Sequence, residues 1–477
     1  MTGHMKPGFD RNAGVSLTFL GGAQTVTGSR FLLSVGESRY LFDCGLFQGP
    51  RQVRELNWQP FPIDPDQLNA VVLTHAHLDH SGYLPLLAQG KRELPVYASE
   101  ATAALLGILL PDAGYLQEEE ARYANKKGYS RHRPALPLFT AQQATEALKS
   151  LVPIPMDTIK EIGEGVSIRM RPAGHILGSA IVECVINQRG RPPCTVVFSG
   201  DLGRFGQEFM KAPTLIQDAD YVVVESTYGD REHPAPLAEE SLEFAVLDTY
   251  RRNGVLLIPS FAVGRAQEVL YHLRRLEDKG KVPVQPVYID SPMATTATDI
   301  YCRFGDEHNL GVNLLMDESK CPLRCRDTRF TRDVEESKAL NVAPRPFIVI
   351  TASGMCEGGR VMHHLKHRLA DPRNTVLLVG FQAKGTRGRL LRDGASSLTI
   401  HGEAVPVQAQ VASLESFSAH GDRHDLLRWL EGFQRPPKMT FVVHGEHNAS
   451  ESLRVQVQER LGWPVQAPER LASLTLE

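Results

Sequence analysis

Six consecutive residues, His75-Ala-His77-Leu-Asp79-His80, follow the apolar β-branched run AVVLT and constrain this chain more than any other feature. In an extended segment, side chains two apart point the same way, so His75 and His77 can grip one ion together. Asp79 and His80 then fall where a turn begins and can face a neighbouring ion. Clustered imidazoles repel one another on protonation unless a metal holds them neutral. The fold must therefore bring a strand end, and the turn after it, to a metal site.

Other apolar strands end in the same kinds of residue. His175 closes VSIRMRPAGH, Asp201 closes CTVVFSGD and His444 closes MTFVVHGE. Taken singly, each reads as an ordinary loop residue. Strand ends on one edge of a sheet converge, however, and that joins residues far apart in sequence. The first half alternates such strands with helical patterns, ASEATAALLGILLPDAG and TAQQATEALKSL, and reads as α/β. After Thr227 the texture changes. Helical stretches (LAEESLEFAVLDTYRRNG, RAQEVLYHLRRLEDKG) alternate with fully apolar strands (VLLIPS, QPVYID, FIVIT, TVLLVG), the pattern of a parallel, doubly wound sheet. From about Gly394 the first texture returns. The expected organisation is one domain made of 1–226 and 396–477, with a second, 227–395, inserted into it.

At 477 residues the chain is long enough for two packed domains, and 42% hydrophobic with 22% charged residues excludes extended disorder. A net charge of −3 gives no global attraction to nucleic acid, so any basic surface is local. The run Lys126-Lys127-Gly128-Tyr129-Ser130-Arg131-His132-Arg133 is the most basic segment; it reads either as an outer RNA guide or as a solvated face. Seven scattered cysteines lack the paired spacing of a zinc knuckle and read as free thiols in a reducing compartment. No apolar run approaches the ~20 residues of a membrane helix. The expected location is cytoplasmic.

The motifs together resemble the metallo-β-lactamase superfamily and, within it, the β-CASP ribonucleases, over roughly Val15 to His447. The resemblance rests on HAHLDH, Asp43 in LFDCG, His175 in AGHILGSA, Asp201 in SGDLG, Glu225 in ESTYGDR, His420 in FSAHGD and His444 in VVHGE. It extends to PSFAVGRAQE, TASGMCEGGR and GFQAKGTRGRLL. It implies an αββα sandwich with an inserted β-CASP domain and two zinc ions per chain. His75, His77 and His175 would hold the first ion, and Asp79, His80 and His444 the second. Asp201 would bridge the two, and Asp43 would orient the ligand histidines or a bound water. His420 would act as general acid, tuned by Glu225. Ser260, Arg265, Ser353, Lys384, Thr386 and Arg387 would contact phosphates.

The implied activity is hydrolysis of single-stranded RNA by metal-bound hydroxide, leaving 5′-phosphate and 3′-hydroxyl ends. The cutting is endonucleolytic, with 5′→3′ digestion from an end as an open addition. A homodimer is compatible with the resemblance, and no membrane is involved. Three other readings compete. Small-molecule ester or thioester hydrolases share HAHLDH but need no insert of this length. DNA-processing relatives tend to carry a small apolar residue where this chain has His444. A catalytically silent scaffold would have lost ligands that are all present here.

Overall fold

Short runs of alternating and β-branched residues, broken by glycine turns, give the N-terminal half its strands. The computed structural model describes residues 14–477 apart from 91–92, 129, 131, 189, 234–237, 311–320, 381, 384 and 415–416. Lys384 lies outside the described residues, as do Tyr129 and Arg131 of the basic run. The chain divides into two units. Met1–Phe205, Ala212–Glu232 and His420–Glu477 form the first; Gly206–Lys211 and His233–Ala419 form the second.

The first unit holds two seven-stranded sheets among the described residues. In spatial order, one runs Ser473–Leu476, Val15–Gly21, Arg30–Val35, Ser38–Phe42, Ala70–Val72, Val96–Ser99 and Leu151–Ile154. The other runs Val465–Gln466, Met439–Val443, Tyr221–Glu225, Cys194–Phe198, Ala180–Ile186, Val166–Pro172 and Ile159–Gly163. Their inner faces share one core, in which Phe42 of the first sheet stacks on Phe198 of the second with ring centroids 3.9 Å apart. Helices cover the outer faces. Glu100–Lys127 lies against Val96–Ser99 and Leu151–Ile154 with Leu105, Leu106 and Leu110 buried. On the other side Trp429 and Leu453, from helices Arg423–Leu430 and His447–Gln456, pack into a second cluster. This is the expected αββα sandwich.

Strand direction positions the site. Ser38–Phe42 and Ala70–Val72 are parallel in one sheet; Cys194–Phe198, Tyr221–Glu225 and Met439–Val443 are parallel in the other. Asp43, the 75–80 turn, Asp201, Glu225 and His444 follow the C-terminal ends of these five strands. The long helix also absorbs part of the basic run. It continues past the sequence-predicted segment to Lys127, ending on Gly128 at φ 68°. Lys126 and Lys127 thus occupy its last turn, where cations complement the exposed carbonyls.

The second unit contains one wholly parallel sheet in the order Thr328–Phe330, Val287–Asp290, Phe347–Thr351, Val255–Pro259, Thr375–Val379 and Gln410–Leu414. Apolar clusters lie on both of its faces, as a doubly wound sheet requires. Its boundaries differ from those read in the sequence. The unit runs on to Ala419 rather than 395, because Gln410–Leu414 pairs along the full length of Thr375–Val379. That segment is an edge strand with four of its five residues exposed or half-buried, which is why it resembles the half-exposed strands of the first unit in composition.

Phe42 is fully buried at the centre of the sandwich. Phe42→Ala should cost ~3–5 kcal/mol of unfolding free energy, read as a lowered urea midpoint at unchanged slope. A loss below ~1 kcal/mol would mean that the two sheets do not depend on this stack.

Candidate metal centre

The turn that carries the ligands is held by backbone before any metal is considered. Cys44 N–H donates to the His80 carbonyl at 2.7 Å, Leu46 N–H to that of Leu78 at 2.8 Å, and Ser29 N–H to that of Asp79 at 2.9 Å. Gly45 sits between them. A Cβ there would lie 1.5 Å from the Asp79 carbonyl oxygen, so only glycine permits the approach. Gly203 does the same for the second sheet, where a Cβ would lie 2.0 Å from the Gly174 carbonyl oxygen beside His175.

The side chains form two facing sets. In the first, His75 Nε2 lies 3.1 Å from His77 Nδ1, and His175 Nε2 lies 3.2 Å from the same atom. Asp201 Oδ2 stands 3.5 Å from His75 Nε2 and 3.6 Å from His175 Nε2. In the second set, His80 Nε2 and His444 Nε2 are 3.1 Å apart, with Asp79 Oδ2 3.4 Å from His444 Nε2. Asp201 Oδ1 faces this set, 3.2 Å from His80 Nε2. One carboxylate therefore presents one oxygen to each cluster. Two ligands bound tetrahedrally at ~2.1 Å lie ~3.4 Å from one another, so these spacings fit a zinc-sized ion.

The donor set gives a further test of fit. Asp201 Oδ1 is buried and accepts no hydrogen bond among the described residues, although imidazoles surround it. Burial holds the His75 ring well below its ordinary range, with neighbouring His80 adding to the effect; burial also takes His77 down to about 4. Both rings are thus neutral ligands. Burial opposes charge on Asp201 too, but His444, His80 and His75 outweigh it and keep the carboxyl ionised. Neutral imidazoles and an ionised carboxylate are what zinc coordination requires.

Asp43 and Thr74 stand behind the ligands. Asp43 Oδ2 lies 2.7 Å from His80 Nδ1 and accepts from Thr74 Oγ1 at 2.9 Å, while Oδ1 accepts the Thr74 N–H at 2.8 Å. Thr74 Oγ1 is also 3.1 Å from His75 Nδ1. Thr227 Oγ1 lies 3.2 Å from His444 Nδ1. Beside the clusters, His420 Nδ1 lies 3.1 Å from Glu225 Oε1 and 3.8 Å from Asp201 Oδ2. Glu225 is fixed in turn, accepting from Leu202 N–H at 2.8 Å and Thr227 N–H at 3.1 Å. Every ligand and catalytic residue named from the sequence comes together in the first unit. Thr74 and Thr227 were not named, because a threonine beside a strand end carries no signal of its own.

Residues 38–252 match the Beta-lactamase superfamily domain, 266–391 the Beta-Casp domain, and 404–468 the Zn-dependent metallo-hydrolase RNA specificity domain. The chain is 40% identical to Ribonuclease TTHA0252 of Thermus thermophilus over 428 residues, 89% of this chain and 92% of that one. It belongs to the β-CASP ribonuclease family. It is also similar to the transcription termination factor FttA of Methanosarcina mazei, at 32% identity over 97% of this chain and 72% of that one. The RNase J-like protein of Methanocaldococcus jannaschii is 29% identical over 96% and 98% of the two chains. Among solved structures, a protein of unknown function from Enterococcus faecalis V583 shares the fold, with TM-score 0.58 at 15% identity over 97% of this chain and 100% of that one. As a member of this family the chain is a metal-dependent hydrolase.

The residues that the resemblance would assign to phosphate contact lie in the second unit, several of them at the C-terminal edge of its parallel sheet. Ser260, buried, follows Val255–Pro259, and its N–H donates to the Thr351 carbonyl at 2.9 Å. Ser353 follows Phe347–Thr351. Arg265 begins helix Arg265–Asp278; it is 9% exposed, pairs with Glu268 and has no partner for Nε among the described residues. Thr386 and Arg387 are placed differently. Thr386 Oγ1 caps helix Arg387–Arg392, and Arg387 is tied to Glu357 and to the Thr399 carbonyl. Phe261, 41% exposed beside Ser260, was not named from the sequence.

Thr74→Val keeps the shape of the side chain and deletes the hydroxyl shared by Asp43, His75 and His80. Zinc affinity measured by chelator competition should fall ~10–100-fold. An affinity within twofold of wild type would show that Asp43 orients the rings unaided.

Proposed function

We propose that this chain is a two-zinc ribonuclease that hydrolyses phosphodiester bonds of single-stranded RNA and leaves 5′-phosphate and 3′-hydroxyl ends. The observation that carries the reading is Asp201, whose two oxygens face two separate ligand sets while His420 stands 3.8 Å from one of them. His75, His77 and His175 would hold one ion and Asp79, His80 and His444 the other, with Asp201 offering an oxygen to each. Zinc bound there lowers the pKa of water and neutralises charge gathering on the phosphate oxygens.

The remaining steps fall to the protein. His420 gives a proton to the departing 3′-oxygen. Burial opposes its charged form, but the carboxylates of Glu225 and Asp201 outweigh that and lift its pKa to about 9. It is therefore protonated at neutral pH, which a general acid needs. Glu225 engages Nδ1 and so fixes the orientation of the ring beside the clusters. In the inserted unit, Ser260, Ser353 and the unpartnered Nε of Arg265 contact RNA phosphates, and exposed Phe261 stacks on a base. Thr386 and Arg387 serve the local fold first, and Lys384 is retained as a phosphate contact on the sequence motif alone.

RNA is favoured over DNA by His444 and by the relatives named as ribonucleases. The relatives named as transcription termination factors favour substrates met as nascent transcripts. Uniformly labelled RNA and the matching DNA, incubated with zinc-loaded protein, test the reading together with metal content. RNA should be cut to 5′-phosphate products by protein carrying two zinc ions per chain, and Asp79→Asn should be silent. Products ending in a 2′,3′-cyclic phosphate would rule out the mechanism. Intact RNA with two bound zinc ions would move the search to small esters and thioesters.

The proton donor predicts a pH effect. A general acid loses activity as pH rises through its pKa, so the wild-type rate should decline on the alkaline side. Glu225→Gln removes a carboxylate that raises the His420 pKa, and should move that alkaline limb of kcat downward by roughly one pH unit or more. An unmoved limb would reassign the proton donor.

A further inference from the structure

Seven cysteines are present, all unpaired, and two of them touch. Cys302, in helix Pro292–Arg303, places its sulfur 3.7 Å from that of Cys321 in the second unit. Cys321 is 1% exposed, while Cys302 is half-buried and forms the entrance. Closing that gap to the ~2.05 Å of a disulfide needs less than ~2 Å of movement, which small side-chain rotations supply. We infer that Cys302 and Cys321 form a peroxide-reactive dithiol, with Cys321 as the nucleophile and Cys302 as the resolving thiol.

The surroundings assign these roles. A thiolate, not a thiol, reacts, and it needs donors and positive charge nearby. The two sulfurs lie within hydrogen-bonding distance, and a proton held on Cys302 lowers the pKa of Cys321; the Leu323 N–H, Arg324 and Arg274 act in the same direction. Arg274 is held in place by donating to the Arg324 carbonyl at 3.0 Å. Cys302 has the opposite setting. It keeps the proton of the pair, and Asp299 lies near it. Burial pushes the other five thiols up, Cys194 to about 11, Cys356 to about 12, and Cys44, Cys184 and Cys325 well above the usual thiol range.

The chemistry balances with a hydroperoxide as the oxidant. The Cys321 thiolate attacks one peroxide oxygen and the O–O bond breaks. The second oxygen leaves as hydroxide or alkoxide and takes up a proton, so the peroxide is reduced and Cys321 becomes a sulfenic acid. The Cys302 sulfur then attacks Cys321, the S–O bond breaks, and hydroxide departs with the Cys302 proton as water. The product is a disulfide that ties helix Pro292–Arg303 to the segment beginning at Cys321. A thiol reductant reverses it. This is independent of the zinc site, which lies in the other unit.

The test uses the full-length, zinc-loaded protein exposed to hydrogen peroxide, alkylated, and mapped by peptide mass without reduction. A Cys302–Cys321 cross-linked peptide should appear and vanish with dithiothreitol. Cys321 should react at least ~10-fold faster than each of the other five thiols. Cys302→Ser should strand Cys321 as a sulfenic acid that dimedone captures, and Cys321→Ser should leave Cys302 unlabelled. The inference is overturned if both cysteines stay alkylatable while others oxidise. Equal dimedone labelling of the two variants would overturn the assignment of roles, and the wild-type map stands even where a variant fails to fold.

Discussion

Everything in the first unit is arranged around a contact that protein atoms alone cannot satisfy. His80 engages Asp43 through Nδ1, so in its neutral form Nε2 is a bare lone pair facing Asp201 Oδ1 at 3.2 Å. Two acceptors at that distance repel. The ring escapes by taking a proton: burial opposes it, but Asp201 and Asp43 prevail and lift its pKa well above the ordinary range. A cation between the two atoms relieves the repulsion, and His80 and Asp201 are among the residues that would hold a metal ion. Because ligand imidazoles must be deprotonated, metal affinity there would depend on pH.

That requirement reaches back into the backbone. Asp43 and His444 both adopt left-handed conformations, at φ 58° and 48°, which non-glycine residues seldom do. Each sits where a strand must turn sharply to direct its side chain, Asp43 onto His80 Nδ1 and His444 into the second cluster. Local strain of this kind persists only where the surroundings over-determine it. Here they do: Asp43 N–H donates to the Val72 carbonyl and His444 N–H to that of Gly22, while Gly45 and Gly203 allow neighbouring segments to close in. The sandwich core beneath, with Phe42 stacked on Phe198, anchors the strands immediately before these turns.

The ligands were legible in the sequence because their chemistry is unusual at strand ends. His75, His77, Asp79, His80, His175, Asp201 and His444 each follow an apolar run, and parallel strands bring those ends to one edge. The supporting threonines were not legible. Thr74 is an ordinary β-branched residue until the fold places Asp43, His75 and His80 around its hydroxyl. The inserted unit was legible as a parallel sheet from its continuous apolar strands, but its last strand was not. Gln410–Leu414 is half-exposed at the sheet edge, so its pattern matches the two-faced strands of the first unit.

The same distinction separates the proposed phosphate contacts. A sequence motif marks residue types, whereas the structure shows which polar atoms are already used. Thr386 donates to the Ala383 carbonyl at 2.7 Å and accepts from the Arg389 N–H, the ordinary duty of a helix cap. Arg387 is held by Glu357 and the Thr399 carbonyl. Arg265 alone pairs through one end of its guanidinium and keeps a buried Nε in reserve. An unsatisfied donor on a buried cation is costly unless a ligand pairs with it. A phosphate oxygen would meet that need through both charge and hydrogen bond, which sets Arg265 apart from Thr386 and Arg387 among the proposed contacts.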